Sequence, residues 1–215
     1  MGTSLVIAVD GPAASGKGTL CRRLASLYGI KYLDTGRLYR GVAWLMLKDG
    51  LNPRDEEAAT AVARAFDPES LDTAELRTGE VGRGASHVAV HPGVRQALFE
   101  FQRAFGETPP GAVLDGRDIG TVIFPDATVK LFITASVEER AKRRFAELRV
   151  QDPNLSLESV TEDLRRRDER DQSRAEAPLL PAAEAELIDT SKLNPEEVLA
   201  RASRIIDNTV KAMSA

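Results

Sequence analysis

Cysteine is nearly missing from this sequence: Cys21 is the single one in 215 residues. No intramolecular disulfide and no cysteine-rich zinc site can form, and a reducing, cytoplasmic setting fits. Histidine is almost as scarce. His87 and His91 have no second His or Cys at ligand spacing, so both are expected as ordinary surface or core residues. Aromatic residues make up 5% of the chain and the formal net charge is −4. Proteins that coat nucleic acid carry a basic excess and stacking side chains, so that class is disfavoured. No apolar run approaches the roughly 20 residues of a membrane span. The stretch Met1–Asp10 has neither a basic start nor a small-residue cleavage site, and does not read as a signal peptide. What remains is globular material, 42% hydrophobic and 29% charged. The length suits one α/β domain with small insertions and a sizeable core.

Leu5–Val9 is a continuous apolar run rich in β-branched residues and ends at Asp10-Gly11, the pattern of a buried parallel strand. A helix is predicted over about 16–28, with Leu20, Leu24 and Leu27 on one face and Gly29 ending it. A short strand at 31–33 leads to a helix carrying Leu38, Val42, Leu45 and Met46. Further strands are expected at 112–114, 129–133 and 185–188, a helix opened by a Ser136–Glu139 capping box, and a closing helix over 195–212. This alternation predicts an α/β fold: a doubly wound, five-stranded parallel sheet with helices on both faces. Trp44 and Cys21 are expected in the core.

Two segments break the rhythm. Residues 67–83 are polar without a clear period, between helices expected at about 56–66 and 88–105, and read as a small insert. A helix around 157–174 begins with Leu157, Val160 and Leu164 but then has no apolar residue before Ala175. Its second half must be solvated or face a ligand. The expected organisation is one domain, 1–215, with an insert at about 65–87 and a lid at about 151–177.

The sharpest local signal is Gly11-Pro12-Ala13-Ala14-Ser15-Gly16-Lys17-Gly18-Thr19, lying between a predicted strand and a predicted helix. Such a loop wraps a phosphate with its backbone N–H groups, the helix start adds partial positive charge, and Lys17 supplies a cation for the β- and γ-phosphates. One position departs from the usual pattern: Gly18 stands where a Ser or Thr would contact Mg²⁺. Asp115, at the end of the 112–114 strand, is placed for water-mediated contact with that metal, and Arg117 suits an anion. Arg40 lies on the first turns of a helix after the second strand. Arg167, Asp171 and Arg174 fall at i, i+4 and i+7, so the carboxylate can hold guanidiniums over a transferring phosphoryl group. Arg140 and Arg144, also i and i+4, are candidate helpers for ATP. Taken singly, Asp115-Gly116 is a common turn and an arginine run is the ordinary surface of a solvated helix.

Together these stretches resemble the bacterial cytidylate kinases, P-loop nucleoside monophosphate kinases. The matching segments are residues 10–21, 34–40, 85–89 with Arg95, 115–126 and 167–181, and the run Gly116–Asp126 is far more specific than the phosphate loop. The resemblance implies ATP-dependent phosphorylation of CMP and dCMP, with Mg²⁺. It implies that Gly11–Thr19 hold ATP and that Arg40, Arg117 and Arg174 contact phosphates. It further implies Ser86, Arg167 and Asp171 near the acceptor sugar, and Thr35, Arg95 and Asp118 near the cytosine. The expected partners are these nucleotides alone, with no nucleic acid and no membrane, and the enzyme is expected to be monomeric. The family often has a small antiparallel sheet in its insert; here residues 67–76 are short and lack alternating strands. Rival readings are a kinase for another small acceptor (UMP, AMP or shikimate) and a nucleic-acid ATPase. A regulatory GTPase would need an Asn-Lys-x-Asp guanine-reading motif, which this sequence lacks.

Overall fold

The computed structural model describes residues 4–68, 74–150 and 152–213. The chain divides into two compact units: Met1–Leu33 with Arg103–Ala215, and the continuous segment Asp34–Gln102.

The first unit is built on a five-stranded parallel sheet, as the alternation predicts. Its strands are β1 (Leu5–Asp10), β2 (Lys31–Asp34), β3 (Gly111–Gly116), β4 (Val129–Thr134) and β5 (Glu186–Asp189), in the order β2-β3-β1-β4-β5. Ile7 lies opposite Val113 on one side and Val129 on the other, and Leu131 opposite Glu186. Helices α1 (Lys17–Tyr28) and α8 (Pro195–Met213) share a core with the strands, in which Ile7, Leu24, Ile133, Ile188 and Ile206 are fully buried with Cys21. Leu27 does not join them; it is 58% exposed. In the last turn of α1, Tyr28 takes the inward place instead and ties its hydroxyl to Asp207 Oδ1 (2.7 Å) and the Ser203 carbonyl (3.2 Å) on α8.

Helices α6 (Val137–Leu148) and α7 (Leu157–Gln172) form a second layer, where Ala141, Val160 and Leu164 close over Ala13 of the phosphate loop. Only half of the expected capping box forms at α6. Ser136 Oγ accepts from the Glu139 amide (3.3 Å), but the Glu139 carboxylate turns to Lys142 and the Ser136 amide donates to Ser191 Oγ (2.8 Å). Beyond Leu164, α7 is not simply solvated. Its inward face is buried by ion pairs, with Asp171 1% exposed.

The second unit is helical: α2 (Thr35–Lys48), α3 (Glu56–Ala65), a 3₁₀ turn (Ala74–Arg77), α4 (Gly79–Val88) and most of α5 (Pro92–Glu107). Its core holds Leu38, Val42, Met46, Ala59, Val88 and Leu98. Helix α4 departs from the expectation of a structureless insert followed by a helix from residue 88. Its glycines hide the helical period but serve packing: a Cβ on Gly84 would stand 3.2 Å from Ala43 Cβ of α2. Thr78 caps it by accepting from the Val81 amide. Trp44 is only half buried, edging Leu76 and Val81, with Lys48 Nζ over its ring at 5.0 Å. Of the stretch expected as a trimmed insert, residues 69–73 lie outside the described residues, as does Gln151 at the start of the expected lid.

Candidate active site

The phosphate loop lies where β1 gives way to α1. Gly11 has φ +146°, and a Cβ there would fall 2.0 Å from the Ile133 carbonyl oxygen, so only glycine lets β1 turn away beside β4. Ala14 and Gly16 take left-handed backbone, and no side chain caps the first turn of α1. Its leading N–H groups are thus oriented for an anion. Lys17, at 5% exposure, runs inside the loop. Its Nζ donates to the Pro12 carbonyl at 2.9 Å and stands 3.8 Å from Asp115 Oδ1. Burial, and then the nearby Arg117 charge, push the Lys17 ammonium down to about 8 against the opposing pull of Asp115. The cation is therefore poorly compensated by protein and complements an incoming polyphosphate.

Asp10, which the sequence reading left unassigned, anchors the segment after β3. It accepts from the Ile119 amide (2.8 Å) and the Gly120 amide (2.7 Å), which open a π-helical turn at Ile119–Ile123. Burial pushes its carboxyl up to about 7 in spite of those two amides. The clamp fixes the backbone just after Arg117 and Asp118. Tyr32, also unassigned, donates from its hydroxyl to Asp115 Oδ2 at 3.4 Å.

Around Asp171 the charges converge. Arg117 Nε donates to Oδ2 at 3.1 Å, Arg174 Nη2 donates to Oδ1, and Arg167 Nε stands 3.9 Å from Oδ2. Burial alone would raise the Asp171 carboxyl, but Arg117, Arg167 and Arg174 outweigh it and hold it below the ordinary carboxylate range. The i, i+4 pairing of Arg167 with Asp171 expected from spacing is the loosest of these contacts. Arg117, distant in sequence, is held more closely.

Arg140 is buried and committed to protein: a two-pronged pair with Asp168 (3.1 and 2.7 Å) and bonds to the Ala135 (2.9 Å) and Ala13 (3.4 Å) carbonyls. It braces the phosphate loop from behind. Arg144 pairs with Glu147 at 2.9 Å. Between them lies Arg143, which the sequence reading passed over. It donates to Thr190 Oγ1 (3.0 Å), the Thr190 carbonyl (2.8 Å) and the Ser15 carbonyl (3.4 Å). Arg143 and Thr190 line a cavity of about 420 Å³ with Gly16, Thr19, Leu193 and Pro195. The available signal was Thr190 at the carboxyl edge of β5, where ligands of such sheets bind.

In the second unit Thr35 opens α2 in a buried position and Ser86 is buried in α4. Arg40 Nη1 donates to the Leu76 carbonyl (2.8 Å), and Arg95, 9% exposed, reaches the Tyr39 hydroxyl (3.5 Å). His91 is buried, with Nε2 3.0 Å from the Pro53 carbonyl oxygen. Among the described residues no group of three or more His, Cys, Asp or Glu could hold a metal. A lone carboxylate such as Asp115 still fits Mg²⁺, which keeps most of its waters and takes its other oxygens from phosphates. Among the described residues no helix is long and apolar enough to cross a membrane.

A solved structure of an uncharacterized protein from Eubacterium ventriosum shares the fold, with TM-score 0.57 at 14% identity over 95% of this chain and 99% of that one. The cytidylate kinase of Azorhizobium caulinodans is 55% identical over 203 residues, covering 94% of this chain and 98% of the relative. That of Paramagnetospirillum magneticum is 52% identical over 206 residues, covering 94% and 98%. Residues 7–208 match the model of the cytidylate kinase family, and this chain belongs to that family.

Proposed function

We propose that this protein phosphorylates CMP and dCMP at the expense of ATP, yielding CDP or dCDP and ADP. One observation carries the reading furthest: Arg117, Arg167 and Arg174 gather about the single buried carboxylate of Asp171. Such a cluster of guanidiniums suits the equatorial oxygens of a phosphoryl group in flight. Gly11–Thr19 hold the donor's phosphates, Lys17 neutralises charge on its β- and γ-groups, and the cavity beside Arg143 and Thr190 takes its nucleoside. Asp115 would hold Mg²⁺ through water, and that ion would supply neutralising charge to the polyphosphate.

An acceptor phosphate oxygen attacks the γ-phosphorus in line and ADP leaves. The acceptor phosphate is already largely ionised at neutral pH, so no general base is required and no covalent enzyme intermediate forms. Arg40 is assigned to the acceptor phosphate, Ser86, Arg167 and Asp171 to its sugar, and Thr35, Arg95 and Asp118 to its base. Residues 152–177 act as the lid that excludes water. We take the enzyme to be monomeric, and the single free thiol supports a cytoplasmic setting. A coupled ADP-release assay with CMP, dCMP, UMP and AMP tests the proposal. Turnover should be confined to the two cytidylates at low acceptor concentration; equal use of AMP and CMP overturns it.

A further inference from the structure

The phosphate loop lacks a hydroxyl at the position that most such loops use beside the metal ion, because Gly18 follows Lys17. Crowding does not demand that glycine. A Cβ at residue 18 would lie 3.4 Å from Asp115 Oδ2, 3.5 Å from Tyr32 Oη and 3.6 Å from Arg22 Nη1, ordinary contact distances, and its backbone is not left-handed. The space beside Gly18 is thus faced by two oxygens, one from a carboxylate and one from a phenol, and by the Arg22 guanidinium at its edge. The phenol comes from the neighbouring strand β2 and donates to that carboxylate. Lys17 Nζ is on the other carboxylate oxygen, at 3.8 Å.

We infer that Tyr32 supplies the hydroxyl that residue 18 lacks: with Asp115, its Oη orients the waters of the Mg²⁺ that accompanies the donor nucleotide. The inference rests on the phosphoryl-donor reading above. A carboxylate can only accept hydrogen bonds. A phenol that donates to Asp115 Oδ2 fixes that oxygen's direction, and its own oxygen can still accept from a metal-bound water. The role asks no proton transfer of the phenol. Tyr32 is a positioning residue that would act on the ion through Asp115 and water. Groups in that place set metal affinity strongly although they never touch the metal.

Titration calorimetry with ADP, with and without Mg²⁺, separates this role from a merely structural one. The wild-type chain should bind ADP in both conditions and more tightly with the metal. Tyr32→Phe should keep its metal-free ADP affinity while the Mg²⁺-dependent gain falls by about tenfold or more. Gly18→Ser added to Tyr32→Phe should restore most of the gain, since the new hydroxyl enters the space that the phenol oxygen has left. A Tyr32→Phe protein that keeps the whole gain, or that loses ADP equally with and without metal, overturns the inference. So does failure of Gly18→Ser to restore it. A wild-type chain that gains nothing from Mg²⁺ overturns the donor reading itself. Fluorine resonances of 3-fluorotyrosine in the otherwise unaltered chain cover the case in which Tyr32→Phe does not fold. The residue-32 signal, assigned with Tyr28→Phe and Tyr39→Phe, should move when Mg²⁺ is added to the ADP complex. A residue-32 signal that stays still overturns the inference.

Discussion

Lys17 keeps its charge in a place where charge is disfavoured, which ties its chemistry to pH. Its ammonium loses a proton near 8 rather than at the ordinary 10.5, because the folded loop buries it beside Arg117. In the free enzyme kcat/KM for ATP should therefore fall as pH rises through about 8, since that profile reports the unliganded protein. Lys17→Met should abolish turnover with the fold intact by circular dichroism; near-normal kcat in a folded variant removes the loop from the mechanism. Asp118, the second side chain after Asp115, is proposed to bear on choice of base. Cytosine offers an amino donor where uracil offers a carbonyl acceptor, and a carboxylate accepts from the first and repels the second. Asp118→Ala should narrow the CMP:UMP ratio of kcat/KM, mainly through loss of CMP activity; an unchanged ratio shows that Asp118 does not read the base. Individual residues were legible in the sequence where a spacing demanded them, as with Lys17 and Asp115. Tyr32, Asp10 and Arg143 were not, because each acts through a backbone group or a carboxylate that folding brings up from another part of the chain.

Helix α7 shows how far an element can depart from its pattern. A helical half without apolar residues is expected to be wet or to face a ligand, yet Asp171 and the Arg174 side chain (1% and 5% exposed) are buried against each other. The Leu179 amide also closes on the Asp171 carbonyl (2.7 Å). Ionic pairing replaces an apolar stripe here, and no hydrophobic period can announce it. The consequence for mutants is a split. Arg167, whose side chain is 20% exposed and stands 3.9 Å from Asp171, should cost less stability when replaced by alanine than the more buried Arg174. Arg174→Ala leaves Asp171 buried with one fewer partner and should lower stability by about 1–3 kcal/mol. Both should reduce kcat/KM by roughly 10²-fold, the scale of a single lost electrostatic contact in a transition state. Chemical denaturation beside steady-state kinetics distinguishes them, and a pair of variants with equal midpoints contradicts the assigned burial roles. Helix α4 escaped the sequence for the opposite reason. Gly79, Gly82 and Gly84 argue against a helix by propensity, and the close approach of α4 to Ala43 overrides that tendency.

At the scale of the molecule, the strand–helix alternation made the sheet readable, whereas its strand order depends on pairings between distant segments. Stability of the whole is linked to Asp10. Its carboxyl ionises near 7 when folded and near 3.8 otherwise, so between those values the folded protein holds the extra proton. Unfolding free energy should therefore decline as pH rises from about 4 to about 7, by at most about 1.4 kcal/mol per pH unit from this group. Asp10→Asn should lack that slope in denaturant titrations across the range; an identical slope in both proteins rules the linkage out. The central position of β1 has a consequence for the newborn chain. Leu5 waits for Gly111, its partner in the sheet, and the second unit, Asp34–Gln102, is complete before that partner exists. At ordinary synthesis rates the wait is roughly 5 to 20 s. A chain halted at residue 110 should leave the amides of Leu5–Asp10 open to hydrogen exchange, whereas the finished chain protects them. For that interval the apolar strand β1 lacks the neighbour that covers it in the finished sheet.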